Sequence, residues 1–206
     1  MKRSVRSLLL LAGLTMTVQP ATYAHFKLLE PASWLVESDR GDPQKAGPCG
    51  GYNTDWGKPS YAITKAIGGQ KLHLKIQETI YHPGHYRVSL AVNSPTELPL
   101  DPQVTTKDSE KGPWSVSAAI QSSPQIPVLA DGLFVHAERP TGPMPPFETD
   151  VQLPNISCRK CTLQVVQFMA DHGFNNPGGY SYHHCAEIQI TRDPAKPLAT
   201  GWPAER

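Results

Sequence analysis

Eight histidines, at positions 25, 73, 82, 85, 136, 172, 183 and 184, are the residues of this chain best suited to chemistry. Six of them fall in three groups: His25 alone, "YHPGHYRV" with His82 and His85, and "HGFNNPGGYSYHHC" with His172, His183 and His184. A neutral imidazole carries one nitrogen lone pair, so rings drawn from separate segments can ligate a metal ion. Taken singly, a histidine is more often a surface or core residue, since the type is intermediate in burial.

His25 is set apart by what precedes it. Lys2, Arg3 and Arg6 give a positive start, and no acidic residue occurs before Glu30. Leu8 to Val18 form an apolar stretch closed by Gln19-Pro20, where proline stops a helix. Thr22 and Ala24 are small residues at −3 and −1 of a cut of the A-x-A type, the layout of a secretory signal peptide. Cleavage after Ala24 makes His25 the first residue of the mature chain. Its α-amine and ring Nδ1 can then close a six-membered chelate on one metal ion. An α-amine titrates near 7.7–8.0, so a metal deprotonates it readily. One imidazole from elsewhere completes a T-shaped set of three nitrogens, and tetragonal nitrogen ligation favours Cu(II). His82, before a Pro-Gly turn and just ahead of a strand, is the expected third nitrogen; His85 is its rival.

The elements that must hold these residues read as strands. "KLHLKIQETI" (71–80) alternates, and "HYRVSLAV" (85–92) puts Tyr86, Val88 and Leu90 on one face. "WSVSAAI" (114–120), "TLQVVQFMA" (162–170) and "HCAEIQI" (184–190) read the same way. No stretch has a long helical period, and 21 prolines with 16 glycines imply many turns and irregular connections. The expected fold is all-β: an antiparallel immunoglobulin/fibronectin III-like β-sandwich with long loops. Residues 31–60 form a long early loop, 139–147 a Pro-rich connection, and 194–206 a polar C-terminal tail after a single domain at 25–193.

The leader holds three of the 19 basic residues and none of the 18 acidic ones, leaving the mature chain near net −2. That balance does not suggest nucleic acid, whose binders carry basic patches, and no later apolar run is long enough for a membrane helix. The four cysteines allow three pairings. In an exported chain the expectation is a local Cys158–Cys161 bridge, with Cys49–Cys185 tying the early loop to the last strand.

Together these features resemble the lytic polysaccharide monooxygenases and their relatives, copper enzymes with an N-terminal histidine brace. The resemblance is carried by His25 after a signal cut and by "HPGHYRV", similar to the family's H-x-G-x-[FY] pattern. "PCGGY" (48–52), "NISCRKCTLQVV" (155–166) and "YSYHHCAEIQI" (180–190) extend it over most of residues 25–191. It implies one copper ion held by His25 and His82, Tyr182 at the axial aromatic position and His172 beside the metal-bound oxygen. It further implies an electron donor and oxidative C–H cleavage of a chitin- or cellulose-like polysaccharide by an exported monomer, periplasmic or secreted. Trp34, Tyr52 and Trp56 are candidates for stacking on the polymer. The alternatives are a copper carrier serving a copper-handling partner, and a metal-free carbohydrate-binding domain.

Overall fold

The computed structural model describes residues 25–51 and 57–206. The leader, Tyr52 and Trp56 lie outside the described residues. Ten strands and one short 3-10 turn make up the regular structure, and no α-helix occurs among the described residues. The strands are β1 (His25–Glu30), β2 (Ile63–Ile67), β3 (Lys71–Ile80), β4 (Gly84–Ala91) and β5 (Val104–Lys107). They continue with β6 (Trp114–Ala118), β7 (Val128–His136), β8 (Phe147–Gln152), β9 (Cys158–Met169) and β10 (Ser181–Thr191).

A three-stranded sheet runs β1-β3-β8, a five-stranded sheet β2-β10-β9-β4-β7, and β5-β6 form a hairpin. Every pairing is antiparallel except β2 with β10, which is parallel and so departs from the expected all-antiparallel arrangement. Alternation explains how the sheets meet. Leu72, Leu74 and Ile76 of β3 and Phe26 and Leu28 of β1 join Tyr86, Val88, Leu90, Leu163, Val165 and Ile188 in one core cluster. All eight residues of β4 are buried, because its second face, with His85, Arg87 and Ser89, is also covered.

Strand β1 lies at the edge of its sheet, so one side of its backbone has no ladder partner. Side chains take that place. The Phe26 amide donates to Gln44 Oε1 at 3.0 Å, the Phe26 carbonyl accepts from His184 Nε2 at 3.0 Å, and the Leu28 amide donates to Glu37 Oε1 at 3.1 Å. The early loop comes so close that a Cβ on Gly41 would lie 1.9 Å from the Phe26 carbonyl oxygen, at a φ of +98° that favours glycine.

The segment after Asp193 has no strand but is tied down. The Asn155 side-chain amide donates to the carbonyls of Asp193, Lys196 and Pro197, and Trp202 packs on the core.

Both disulfides pair as expected, Cys49–Cys185 at a sequence separation of 136 and Cys158–Cys161 at a separation of 3. Closing so long a loop constrains the unfolded chain by about 4–5 kcal/mol in the chain-entropy model, against less than about 2 kcal/mol for the short one. Replacing Cys49 and Cys185 by alanine should therefore lower the urea-unfolding free energy far more than replacing Cys158 and Cys161. Equal losses would contradict the assignment.

Candidate metal centre

His25 opens β1 opposite Ile80 of β3, and its carbonyl accepts from Thr79 Oγ1 at 3.2 Å. Its Nε2 lies 3.4 Å from Asp42 Oδ2. The His25 ring is also the main reason the Asp42 carboxyl is held below its ordinary range. A carboxylate facing Nε2 keeps the proton there and leaves Nδ1 as the lone-pair nitrogen of the neutral ring. Nδ1 is the atom a chelate with the residue's own amine requires.

His82 stands in the turn between β3 and β4. Two backbone contacts fix that turn. The Pro83 carbonyl accepts from the Ala170 amide at 2.8 Å, and a Cβ on Gly84 would lie 1.9 Å from the Phe168 carbonyl oxygen. The glycine of "HPGHY" thus lets β4 press against the end of β9.

His172 joins the two. Its ring centroid is 4.8 Å from that of His82, in an edge-on arrangement. Burial is the main cause that lowers its pKa to about 4, followed by charge on His82, with smaller contributions from Lys45 and His25. His172 Nδ1 donates to the Gly173 carbonyl at 2.5 Å, so in the neutral ring Nε2 carries the lone pair. Its main chain is held by Ser115, whose Oγ accepts from the His172 amide at 3.1 Å. Tyr182 is fully buried within the core cluster and meets His25 edge-on at 5.4 Å. It is a core aromatic and a neighbour of His25 at once.

The expected residues thus form two contact pairs, His25 with Tyr182 and His82 with His172, and His25 acts electrostatically on His172. Among the described residues, no group of three or more His, Cys, Asp or Glu side chains is arranged to hold a metal ion. A metal held by His25 and His82 would need a third donor from elsewhere, and a cut before His25 would expose an α-amine there. Such a donor set would suit copper, whose affinity for nitrogen ligands tops the divalent series.

Other expected residues go elsewhere. The His85 ring lies 5.2 Å from Phe168 and 3.9 Å from Asp131, on the face of β4 opposite Tyr86, which favours His82 over its rival. His183 and His184 point to opposite faces of β10: His183 Nε2 meets Asp101 at 2.7 Å, and His184 packs on Phe26. Trp34 lines a surface depression with Tyr61, Lys160 and Glu187, along β10 from Tyr182, so it does not join the cluster. The exposed aromatic near His172 is instead Phe174, 66% exposed and edge-on to Tyr180 at 5.5 Å. Asp42, Gln44 and Glu37 are supporting residues that no spacing marks in the sequence. No family model and no curated protein matches the chain.

Glu37 gives the site a pH-dependent support. Burial, opposed by the Leu28 amide and Ser33, raises its pKa to about 7, while burial lowers that of His184 to about 4. Glu37 Oε1 is 3.1 Å from His184 Nδ1, so burial sets a protonated carboxyl beside a neutral imidazole. A folded-state pKa above the unfolded value of about 4.5 gives stability that is present in acid and lost as pH rises through 7. Metal-free protein should lose about 3 kcal/mol of unfolding free energy from pH 4.5 to 8 through this group. Glu37→Gln should flatten that dependence in urea titrations; an unchanged slope would refute the assignment.

Proposed function

We propose that the mature chain, beginning at His25, is an exported copper protein of the histidine-brace kind that oxidatively cleaves a polysaccharide. The observation that carries this reading is the Asp42 carboxylate facing Nε2 of His25, which favours the tautomer whose lone pair sits on Nδ1, on the side of the residue's own amine. The shared core of the two sheets supports an immunoglobulin/fibronectin III-like sandwich, the scaffold on which such a brace is expected. The two disulfides are consistent with export.

His25 would supply two nitrogens and His82 the third. Copper bound there would supply one-electron chemistry with dioxygen or peroxide, directed at a C–H bond of the polymer. The protein's own share is positioning. Asp42 and Thr79 orient His25, and Tyr182 fills the space against its ring. His172, neutral and with Nε2 available, accepts or relays a hydrogen bond at the open side. The exposed Phe174 ring, braced edge-on by Tyr180, offers an apolar face on which a sugar ring can stack. Asp42 also keeps the carrier reading in view, because an acidic group beside the brace suits a copper-delivery protein. Its carboxylate faces Nε2, however, and the aromatic Tyr182 favours the enzyme.

Mature protein loaded with one equivalent of copper, given ascorbate and peroxide, should release oxidised oligosaccharides from chitin or cellulose, read by mass spectrometry. His82→Ala should abolish them, and Phe174→Ala should weaken polymer binding several-fold without changing copper affinity. Tight binding of one copper with no oxidised product across a broad glycan panel would leave the carrier as the function.

A further inference from the structure

One buried cluster has no part in ligation, yet it reaches the main chain of His82. Glu78 of β3 is 2% exposed and lies between Gln77 and Thr79 on the strand that pairs with β1. Its Oε1 accepts from Tyr86 Oη at 2.9 Å and from Gln167 Nε2 at 2.6 Å, and lies 3.1 Å from His136 Nε2. That same His136 nitrogen is 2.6 Å from the His82 carbonyl oxygen, and Nδ1 of the ring is 2.6 Å from the Phe134 carbonyl oxygen. Carbonyl oxygens only accept, so both ring nitrogens serve as donors. A doubly donating imidazole in a buried setting needs a counter-charge close by, and the Glu78 carboxylate is that counter-charge. Tyr86 and Gln167 hold the carboxylate from β4 and β9, and Tyr81 lies edge-on to the other side of the His136 ring at 5.6 Å.

We propose that Glu78 and His136 are a positioning pair for the metal site, clamping the His82 main chain so that its ring keeps its place beside His172. The inference builds on the copper reading of His82. Gly84 and Pro83 hold the turn through the main chain, and the His136 donor adds a side-chain hold on the His82 carbonyl itself. The Glu78 carboxylate keeps that donor in register. His136 is remote in sequence, at the end of β7 opposite Gly84, so the clamp joins the strand on each side of the turn.

The test uses mature protein and the variants Glu78→Gln and His136→Gln, with Val151→Ala, a buried residue of β8, as a control for general destabilisation. Cu(II) alone is the probe. Each clamp variant should bind Cu(II) 10–100-fold more weakly, the usual effect of losing a residue that orients a ligand, and should shift the Cu(II) EPR hyperfine splitting. The double variant should lose no more than the single ones, because the two residues act as one unit. Val151→Ala should lower the melting temperature without altering the EPR spectrum. Clamp variants that melt earlier but keep wild-type affinity and spectrum would overturn the proposal. If the wild-type protein itself fails to bind Cu(II), the copper reading falls, and the clamp is judged on metal-free protein. There His136→Gln should change NMR shifts and speed amide exchange around residues 81–84, and an unchanged segment would refute the clamp.

Discussion

The first strand is an edge strand, and the site depends on how that edge is closed. An open edge presents unpaired amides and carbonyls that either bind water or recruit another chain. Here Gln44, Glu37 and His184 supply the missing partners for Phe26 and Leu28. The strand cannot slide or fray without breaking these bonds, so residue 25 is held at the position where Asp42 meets its ring. A chelate that uses the terminal residue of a chain needs such anchoring, since chain ends are otherwise the least ordered part of a domain.

A disulfide joins this arrangement. The early loop that carries Glu37, Asp42 and Gln44 is bound through Cys49 to Cys185 of β10. Next to Cys185 stands His184, which holds Phe26, and three residues before it Tyr182, which packs on His25. One disulfide therefore ties both sets of supports together. Under the proposed function, an oxidising compartment and a cut after Ala24 are both required before the brace exists, and neither is met inside the cell. The polar groups at the site are buried yet tied to main-chain atoms: His172 to Gly173, His136 to His82 and Phe134, His184 to Phe26. These bonds to the main chain help fix one arrangement of a core that apolar packing alone would leave adaptable.

The sequence disclosed what is written in regular patterns. Strands β3, β4, β6, β9 and β10 alternate cleanly, and the structure has each of them. The remaining strands were illegible for physical reasons. β2 and β5 are short, β8 is rich in charged and polar residues, and β7 is interrupted by Asp131-Gly132, where φ of +65° bends the strand. β1 is short, and HFKLLE sets Leu28 beside Leu29, so no alternation marks it. Of the three cysteine pairings the sequence allows, the structure has the expected one. His25, His82, His172 and Tyr182 are each marked by motif or position, and the structure pairs His25 with Tyr182 and His82 with His172. Their supports were not marked. Asp42, Glu37, Glu78 and His136 act through long-range contacts that no local period records. Trp34 shows the converse: an aromatic in the right loop that the fold carries to another place.

The central claim is that the amine of residue 25 is a metal ligand. Its most direct test is the Cu(II) EPR spectrum of protein beginning at His25, compared with protein that carries one extra glycine before it. The account predicts coupling to three nitrogens and tight one-to-one binding in the first, with both lost in the second, where that nitrogen has become a peptide group. Identical spectra and affinities for the two proteins would contradict it.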